Sequence, residues 1–541
     1  MDATLTAHAA MRSRVEAAPF AANLGTFLDD AATRHGAAPL WRFIEAPDSL
    51  PFREIDYAGL AAVTRAVAIG LARRGVRPGD RVGVMLPNIP AFPITWLALA
   101  RLGAVMIPVN TGYTPRELDY MLSDGGAAHL VIHEDCLPAL LDLLAGRPLL
   151  ERGNIHVVGR PPQGMRAWSA LLDNRSATLP AEWPELDDLV NLQYTSGTTG
   201  FPKGCMLTHR YWLTLGRVAA GRGGDAVRVV LAAQPFYYMD PQWLLLMAMH
   251  LGGRLVVAPK PSATRFMDWV RGEGVEYCIF PQVVLKQPES PDDACTALKR
   301  VSIFGLRADM HAALERRFNC VARESFGMTE IGSGLTTPPE AVEMVGSGTC
   351  GLPSPFREAS IRDPEGRELG PGEAGELWIR GPGILKGYWN RPDANADAFR
   401  EGGWFRTGDL FRRDERGFHT IVGRVKDMIR RSGENIAARE VEAVLLQLDA
   451  VQEAAVIPVP DPDRGQEVKA CLVLQPGLTP ADLPAERVFA HCAAQLARFK
   501  VPRFLEYRGA LPKTPSQKIA KHLLVGERGD LRAGAIDRLG G

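Results

Sequence analysis

The stretch DRVGVMLPNIPAFPITWLALARLGAVMIPVN, residues 80–110, decides the fold class. It begins with the apolar strand pattern DRVGVMLP, continues with the helical pattern AFPITWLALARLG, and ends with a second strand pattern, AVMIPVN. A strand, a helix and a strand in succession are typical of a βαβ unit, whose two strands lie parallel in one sheet. The sequence therefore predicts an α/β fold built on parallel sheet.

The pattern changes twice further along the chain. Alternating helix and strand patterns fill residues 20–350, whereas short strands with Gly and Pro turns over 351–422 predict a small antiparallel barrel. Helix and strand patterns then return in a self-contained C-terminal segment. We therefore predict a large N-terminal domain of parallel and mixed sheets with that barrel, residues 1–425. A small mobile α+β domain, residues 426–525, and a flexible tail, residues 526–541, complete the predicted organisation.

Charge and composition exclude several classes of protein. Lys plus Arg and Asp plus Glu both number 62, so no net field attracts nucleic acid or an anionic membrane. The 8 cysteines form no CxxC pair, which argues against a disulfide framework and a zinc ribbon. The longest apolar run is interrupted by Arg101, and the N-terminus lacks the apolar core of a signal peptide. We expect a cytoplasmic protein without a membrane span; the number of subunits stays open, and a homo-oligomer is compatible with the sequence.

A loop rich in glycine and hydroxyl groups, YTSGTTGFPKG at residues 194–204, predicts a polyphosphate site. Glycines let backbone N–H groups approach an anion, and the hydroxyls and the lysine add donors. The strand pattern DDLVNLQ precedes the loop, and the helix pattern THRYWLTLGRVAA follows it with Thr208 as the cap. The nucleoside-triphosphatase loop does not match, because Pro202 and Gly204 replace its Gly and its Ser or Thr. The alternative is a surface turn.

Six segments together resemble motifs of the AMP-forming acyl- and aryl-CoA synthetases, also called adenylate-forming ligases. They are YTSGTTGFPKG (194–204), ESFGMTE (324–330), GELWIRGPGILKGYW (375–389), WFRTGDL (404–410), GRVKDMIRRSGENI (423–436) and LPKTPSQKI (511–519). They follow the order and spacing of that family. The resemblance implies an acid–thiol ligase that converts a carboxylic acid and ATP into acyl-adenylate and pyrophosphate. The acyl group would then pass to coenzyme A with release of AMP.

The resemblance implies roles for residues at the triphosphate. Glu330 would bind Mg²⁺, which takes carboxylate and phosphate oxygens, and Thr329 would contact the α-phosphate. Lys518 would bridge the substrate carboxylate and the α-phosphate, although Gln517 stands where the family has glycine, which leaves the adenylation rate open. With Lys518 and Glu330, Thr195 and Lys203 would be catalytic. The loop residues that would hold the β and γ phosphates are Thr195, Ser196, Gly197, Thr198, Thr199, Gly200 and Lys203.

The nucleoside would be held by two other motifs. Phe326 would stack on adenine, and Asp409 would accept both ribose hydroxyls while Arg424 reaches the ribose from the other side. The remaining nucleotide-lining residues implied by the resemblance are Gly305, Ser325 and Gly327. Taken one at a time, these positions have ordinary alternatives: a core aromatic at Phe326, a tight turn at Asp409, and solvated side chains at Glu330 and Lys518.

The resemblance also implies motion of the C-terminal domain. Lys426 stands at the hinge position of the family, and Gly433 would leave room for the pantetheine arm of CoA. The domain would rotate between the half-reactions, with Lys518 facing inward for the first and the Gly433 loop facing inward for the second.

The segments PFYYMDPQW (235–243) and IFGLRADM (303–310) are predicted to select the acid. They resemble the crotonobetaine/carnitine-CoA ligases within the family. Tyr237, Tyr238 and Trp243 near Asp240 would form an aromatic cage for a quaternary ammonium group. The alternative is a buried aromatic helix start that Asp240 caps. We expect a short- or medium-chain fatty acid or a betaine-type acid as substrate.

Two further functions stay open from the sequence. A stand-alone adenylating enzyme would load the acyl group onto a carrier-protein phosphopantetheine instead of free CoA, although the chain carries no fused carrier domain. A non-enzymatic paralogue is the other alternative, and the presence of Lys203, Glu330, Asp409 and Lys518 argues against it.

Overall fold

The structure is a computed structural model that describes residues 2–173, 184–195, 202–223, 227–431, 434–514, 518–527 and 529–540. These residues fall into two compact units. Unit 1 comprises the described residues within 1–195, 203–359 and 379–404. Unit 2 comprises Pro202 and the described residues within 360–378 and 405–541.

Fourteen α-helices lie within the described part of the chain, and the last three belong to unit 2. In chain order they are α1 (Ala3–Ala17), α2 (Leu24–His35), α3 (Tyr57–Arg73), α4 (Ala91–Leu102), α5 (Pro115–Asp124), α6 (Leu137–Gly146), α7 (His209–Gly223), α8 (Met239–Leu251), α9 (Phe266–Gly272), α10 (Ala308–Phe318), α11 (Pro392–Ala398), α12 (Ala438–Leu445), α13 (Ala485–Gln495) and α14 (Lys521–Gly526).

The strands of the first 353 residues all belong to unit 1. They are β1 (Pro39–Phe43), β2 (Glu54–Asp56), β3 (Arg81–Met85), β4 (Val105–Pro108), β5 (Ala127–His133), β6 (Ile155–Val158), β7 (Arg166–Ala167), β8 (Leu189–Thr195), β9 (Lys203–Thr208), β10 (Val229–Ala232), β11 (Arg254–Val257), β12 (Tyr277–Ile279), β13 (Arg300–Ile303), β14 (Val321–Met328), β15 (Gly332–Thr336) and β16 (Thr349–Pro353).

The remaining described strands follow in the second part of the chain. They are β17 (Glu358–Arg362), β18 (Ala374–Arg380), β19 (Phe399–Arg400), β20 (Trp404–Arg413), β21 (His419–Arg424), β22 (Met428–Arg431), β23 (Glu434–Ala437), β24 (Val451–Asp461), β25 (Gly465–Leu474), β26 (Phe504–Tyr507) and β27 (Ile536–Asp537).

The βαβ prediction for residues 80–110 is confirmed. Strands β3 and β4 pair in parallel, and α4 connects them. Every residue of α4 is buried because the helix packs against α2, α3 and β4. Such burial on all sides explains why its sequence is apolar around the whole helix instead of along one stripe.

Unit 1 contains two sheets in which parallel pairs predominate. The first has the order β7-β6-β5-β3-β4-β8-β9, and the second contains the run β16-β15-β14-β13-β12-β10-β11-β1-β2. Antiparallel pairs occur at their edges, between β8 and β9, β1 and β2, and β14, β15 and β16. Buried side chains from the parallel strands and the covering helices form the core of each sheet. The predicted large domain of parallel and mixed sheets is therefore present.

The phosphate-loop segment contains one strand more than predicted. Strand β8 matches the predicted strand, but the residues after the loop form β9, which returns antiparallel to β8 before α7 begins. Thr208 ends β9, and its hydroxyl accepts the N–H of Tyr211 at 3.2 Å, so the predicted cap is confirmed. The six residues of β9 show no strict alternation, and pairing with β8 gives them their strand conformation.

The predicted antiparallel barrel is not closed. In unit 2 the strands run in the open order β17-β18-β20-β21, with β20 and β21 antiparallel. Among the described residues no further pair joins the first of these strands back to the last. Small closed barrels that enclose side chains have about eight strands, so four strands leave the sheet open.

The C-terminal part of unit 2 is the predicted α+β unit. Its sheet has the order β23-β22-β25-β26-β27, and β24 pairs with β25. Helices α12 and α13 share one apolar core with this sheet. The sequence predicts a loose tail after residue 525, yet Ile536 pairs with Leu505 and Asp537 bonds to Arg503 at 3.1 Å. Among the described residues, no helix is both long and apolar enough to cross a bilayer.

Candidate active site

The two ends of the phosphate loop face each other at the base of the β8–β9 hairpin. Thr195, the last residue of β8, is the register partner of Lys203, the first residue of β9. The antiparallel pair therefore closes the loop at its base and places the two residues opposite each other. The predicted phosphate contacts Ser196, Gly197, Thr198, Thr199 and Gly200 lie outside the described residues.

Neighbouring elements of unit 1 hold both sides of this hairpin. The hydroxyl of Tyr194 donates to Asp124 Oδ2 at 2.7 Å, which fixes the end of β8 to the C-terminus of α5. Arg391 also donates to Asp124, through Nη2 to Oδ1 at 2.5 Å. On the other side, the backbone N–H of Trp389 donates to the carbonyl of Gly204 at 2.8 Å. The ends of the loop are thus held by side-chain and backbone bonds.

Glu330 lies next to this base and is buried, with 7% of its surface exposed. The hydroxyl of Tyr388 donates to Glu330 Oε1 at 2.9 Å. The Nζ atom of Lys203 lies 4.0 Å from the centroid of the Tyr388 ring. Burial, followed by the charge of Glu330, raises the pKa of the Tyr388 hydroxyl, which therefore stays protonated near neutral pH. The structure brings Lys203 and Glu330 together through a residue to which the sequence assigned no role.

Thr329 precedes Glu330 in the turn between β14 and β15. Its carbonyl accepts the hydroxyl of the buried Tyr211 at 2.8 Å, which ties the turn to α7. The turn also requires glycine, since a Cβ at Gly327 would lie 2.5 Å from the carbonyl oxygen of Gly332. Gly327 is exposed and Phe326 is partly exposed, so both remain accessible from solvent.

Ser325 and Gly305 follow directly after the segment in which β14 and β13 pair in parallel, Ser325 within β14 and Gly305 two residues beyond the end of β13. The N–H of Gly305 donates to Glu324 Oε1, and the N–H of Leu306 donates to Oε2 at 3.3 Å. Gly305 has a φ of 65°, which glycine adopts without strain. Arg222 donates to Ser325 Oγ at 3.1 Å. The carboxyl edge of a parallel sheet is where ligands bind in open α/β folds.

In unit 2, Asp409 and Arg424 are register partners on β20 and β21. The Arg424 Nε atom lies 2.8 Å from Asp409 Oδ1, and only 2% of the Asp409 side chain is exposed. Burial raises the pKa of the Asp409 carboxyl above its usual range, while the positive charges of Arg424, Arg439 and Lys518 act in the opposite direction. The structure therefore brings Asp409, Arg424 and Lys518 of the sequence prediction into one electrostatic neighbourhood.

Lys518 is hydrogen-bonded to Thr514, four residues earlier in the chain. Its N–H donates to Thr514 Oγ1 at 3.2 Å, and its carbonyl accepts the N–H of Thr514 at 2.7 Å. Lys513 and Ile519 form an antiparallel bridge across the same turn, and the Lys518 side chain is exposed. Gln517 lies outside the described residues.

The predicted hinge and thiol-loop residues are described only in part. Lys426 belongs to the short 3₁₀ turn Val425–Asp427, and its side chain lies outside the described residues, as does Gly433. Nearby, Arg431 is buried against Glu467, with Nε 2.6 Å from Oε2. The side chain of Arg431 therefore forms an ion pair within unit 2.

The proposed acid-selecting residues surround the start of α8. Tyr238 precedes the helix and is 37% exposed, and its ring lies 4.8 Å from that of Tyr237 in an edge-to-face arrangement. Burial raises the pKa of both tyrosine hydroxyls, while Thr111 beside Tyr237 and Asn110 beside Tyr238 act in the opposite direction. These tyrosines therefore form a polar-edged aromatic surface in unit 1.

The other two members of the predicted cage have different surroundings. Trp243 is only 5% exposed, and its Nε1 donates to Asp240 Oδ1 at 3.1 Å. Asp240 lies in the first turn of α8, whose N-cap residue Tyr238 makes no side-chain capping bond. The structure is therefore similar to the alternative, a buried aromatic helix start. It differs in that Asp240 accepts the indole N–H of Trp243 and is not the N-cap residue of the helix.

The chain is similar to known protein families, sequences and structures. The sequence matches the AMP-binding enzyme family over residues 28–389 and the AMP-binding enzyme C-terminal domain over residues 440–518. It is 33% identical to a feruloyl-CoA synthase of Amycolatopsis sp, covering 90% of this chain and 97% of that protein. It is also 33% identical to a crotonobetaine/carnitine–CoA ligase of Citrobacter koseri, covering 92% and 98%. The crystal structure of ATP-bound MatB from Rhodopseudomonas palustris matches with a TM-score of 0.82 and 27% identity over 94% of this chain and 99% of that chain.

Proposed function

The chain belongs to the AMP-binding enzyme family and is an AMP-forming acyl-CoA ligase, and we propose that its substrate is a short- or medium-chain carboxylic acid. The acid attacks the α-phosphorus of ATP, the bond to the bridging oxygen of pyrophosphate breaks, and acyl-adenylate forms. The thiol of CoA then attacks the acyl carbon, and AMP leaves as the thioester forms. The observation that carries the proposal for the site is the base of the phosphate loop, where Thr195 faces Lys203 and Tyr388 connects Lys203 to Glu330.

In this proposal the loop base in unit 1 handles the triphosphate. Phosphoryl transfer of this kind depends on positioning and on neutralising charge more than on covalent catalysis. Lys203 supplies a positive charge to the β and γ phosphates, and Thr195 supplies a hydroxyl donor. Thr329 is the proposed contact to the α-phosphate. The loop residues from Ser196 to Gly200 are proposed to add N–H and hydroxyl donors.

Glu330 is the proposed carboxylate for Mg²⁺. Among the described residues no group of three or more His, Cys, Asp or Glu side chains forms a metal cage. One buried carboxylate beside hydroxyl and phosphate oxygens fits a hard cation that keeps water and takes its other ligands from ATP. When bound, Mg²⁺ would neutralise phosphate charge, while Glu330 holds its position through the bond from Tyr388.

In unit 2, Asp409, Arg424 and Lys518 are the proposed groups for the ribose and the reacting atoms. The Asp409 carboxylate is proposed to accept ribose hydroxyls, and the charge of Arg424 opposes the rise in its pKa that burial causes. Lys518 brings an ammonium group to the oxygens where negative charge develops between the acid and the α-phosphate. Phe326 is proposed to stack on adenine, lined by Gly305, Ser325 and Gly327. Lys426 is the proposed hinge and Gly433 the proposed passage for pantetheine.

The surface around Tyr237 and Tyr238 supports an uncharged acyl group as the preferred substrate. Trp243 is buried, and Asp240 accepts its N–H, so neither completes an open cage around a cation. A betaine-type acid is the second candidate, because the chain is 33% identical to the Citrobacter koseri crotonobetaine/carnitine–CoA ligase. A carrier-protein acceptor is not favoured, since the named relatives are CoA ligases.

A screen of pyrophosphate release over short-chain, medium-chain, aryl and betaine-type acids tests the proposal. Each acid is assayed with and without CoA, and the products are analysed for thioester. We expect AMP and thioester in the presence of CoA, with the highest kcat/KM for an uncharged short- or medium-chain acid. The highest kcat/KM for a betaine would establish the second candidate instead. No splitting of ATP to AMP with any acid would contradict the ligase assignment itself.

A further inference from the structure

The GYW sequence that ends at Trp389 holds a tyrosine between two groups of opposite charge. We propose that Tyr388 is a positioning residue, which orients the Glu330 carboxylate for the metal and holds Lys203 apart from it for the phosphates. The inference rests on the proposed function of Glu330 and Lys203, and adds to it a residue that the reaction chemistry alone does not indicate.

The segment that carries Tyr388 is fixed by its backbone. The N–H of Met206 donates to the carbonyl of Gly387 at 2.9 Å, and the N–H of Lys386 donates to the carbonyl of Met206 at 2.9 Å. Cys205 and Tyr388 form an antiparallel bridge. Tyr388 therefore keeps a constant position relative to β9, the strand that begins with Lys203.

The same segment is fixed to Glu330. The N–H of Leu385 donates to the carbonyl of Glu330 at 2.7 Å, and the Tyr388 hydroxyl donates to Glu330 Oε1 at 2.9 Å. With Tyr388 5% exposed and Glu330 7% exposed, water has little access to compete for this bond. A hydrogen bond to a charged acceptor is stronger where water is excluded, so this bond limits the orientations of the carboxylate.

Lys203 uses a different part of the same side chain. Its Nζ atom lies 4.0 Å from the centroid of the Tyr388 ring, a cation–π contact, while the hydroxyl at the edge of the ring bonds Glu330. An ammonium group and a carboxylate this near to one side chain would attract each other strongly in a buried site. The ring gives Lys203 a partner that leaves its N–H donors for phosphate oxygens, and the hydroxyl leaves the second carboxylate oxygen of Glu330 unblocked by Tyr388.

Replacing the hydroxyl alone separates positioning from packing. Tyr388→Phe keeps the ring for Lys203 and removes only the bond to Glu330. We expect about tenfold weaker binding of ATP in excess magnesium, since a hydrogen bond to a charged group is lost. Binding of ATP in EDTA, measured by the same calorimetric titration, should stay unchanged. Tyr57→Phe is the matched control: Tyr57 is fully buried in α3 and its hydroxyl bonds Gly253 at 2.8 Å, so ATP affinity should be unchanged under both conditions.

The Glu330→Gln background distinguishes the inference from the function on which it rests. Glu330→Gln should itself abolish most of the magnesium-dependent gain in ATP affinity, and Tyr388→Phe should add no further loss to it. If Glu330→Gln keeps the full magnesium-dependent gain, the proposed metal role of Glu330 fails and the inference fails with it. If Glu330→Gln loses the gain but Tyr388→Phe does not, only the role of Tyr388 is overturned.

A merely structural role for Tyr388 predicts a different result. The affinity for ATP would then fall equally with magnesium and with EDTA, and that result would overturn the inference. If Tyr388→Phe does not fold, Tyr388→His, which keeps a ring and a donor, is measured in its place. Because histidine is too short to place its donor where the tyrosine hydroxyl lies, the inference expects the histidine variant to lose part of the magnesium-dependent gain, and a fully retained gain in a folded protein would overturn it.

Discussion

At the scale of single residues, Lys518 should separate the two half-reactions. Lys518→Ala removes the only proposed cation at the bond-forming oxygens, so we expect adenylate formation to fall by about 10²- to 10³-fold, as for loss of one preorganised donor. Thiolysis of supplied acyl-adenylate should be nearly unchanged. Stopped-flow detection of pyrophosphate and of thioester measures the two steps separately.

Lys513→Ala is the control for Lys518→Ala, because Lys513 lies in the same turn and its ammonium bonds Glu453 at 2.7 Å. We expect it to leave both half-reactions near the wild-type rate. Equal losses in both half-reactions of Lys518→Ala would show that the lysine serves a step common to both.

The ion pair between Asp409 and Arg424 should set the pH at which the ribose is bound. Burial raises the pKa of Asp409, and Arg424 is the largest of the influences that lower it. Removing Arg424 therefore raises that pKa further. Since the carboxylate accepts the ribose hydroxyls only when ionised, affinity for adenosine falls as pH drops through the Asp409 pKa. The midpoint of this loss should lie at higher pH in Arg424→Ala than in the wild type.

Ligand-observed NMR with adenosine measures that midpoint, because adenosine has no phosphate that titrates in the same range. Arg412→Ala removes an exposed arginine from β20, the strand that carries Asp409, and should leave the midpoint unchanged. A midpoint that does not move in Arg424→Ala would show that Arg424 has no influence on the ionisation of Asp409.

At the scale of elements, the β14–β15 hairpin carries Phe326 and leads to Glu330, and Gly327 allows its tight approach. A methyl group at Gly327 would lie 2.5 Å from the carbonyl of Gly332, and this neighbour is backbone, which has little room to move. We expect Gly327→Ala to lower the free energy of unfolding by about 1–3 kcal/mol, as overpacking does. Urea titration followed by tryptophan fluorescence measures the change.

Gly146→Ala provides the comparison for that hairpin variant. Gly146 is the last residue of α6, and nothing lies within 4 Å of the position a methyl group would take. The free energy of unfolding should stay equal or rise by about 0.4–1 kcal/mol, because alanine lowers the entropy of the unfolded chain. A stable Gly327→Ala protein would show that the hairpin can open to admit a side chain.

The elements also show what local sequence can and cannot predict. Helices α3 and α4 and strands β3 and β4 follow from periodicity, because each buries a continuous apolar surface. Strand β9 was missed, since its conformation depends on β8 across the loop. The role of Tyr388 was also missed, because its contact with Glu330 joins positions 58 residues apart and a tyrosine carries no charge to suggest it. The sequence GYW, residues 387–389, was the feature that could have indicated this role.

At the scale of the whole molecule, buried histidines should limit stability in acid. Burial lowers the pKa of His156 and of His209 to about 4, and that of His250 to about 3. In the unfolded chain these groups have a pKa near 6.5. Between these values the unfolded state binds more protons, so the free energy of unfolding falls as pH decreases from about 6.5, by about 1.4 kcal/mol per pH unit for each histidine.

His156→Leu should reduce this acid sensitivity, because the two ring nitrogens of His156 have no hydrogen-bond partner among the described residues. The thermal midpoint should then fall less steeply between pH 6.5 and pH 4 than in the wild type. His522→Gln, at an exposed position of α14, should follow the wild-type curve. Identical slopes for His156→Leu and the wild type would show that His156 is protonated without cost in the folded protein.

The two sheets of unit 1 both contribute to the proposed nucleotide site, since β14 carries, and β13 leads to, the residues proposed to line adenine. The loop base extends from β8 and β9 of one sheet, whereas the Tyr237–Tyr238 surface follows β10 of the other. The two surfaces are nevertheless joined, because Gln193 of β8 donates to the carbonyl of Tyr237 at 3.0 Å and Asn191 of β8 donates to Gln242 of α8 at 3.1 Å. A protein engineer who randomises the segment after β10 should therefore keep Asn191, Gln193 and Gln242 fixed, so that new acids are recruited while the strand that leads into the phosphate loop keeps its position.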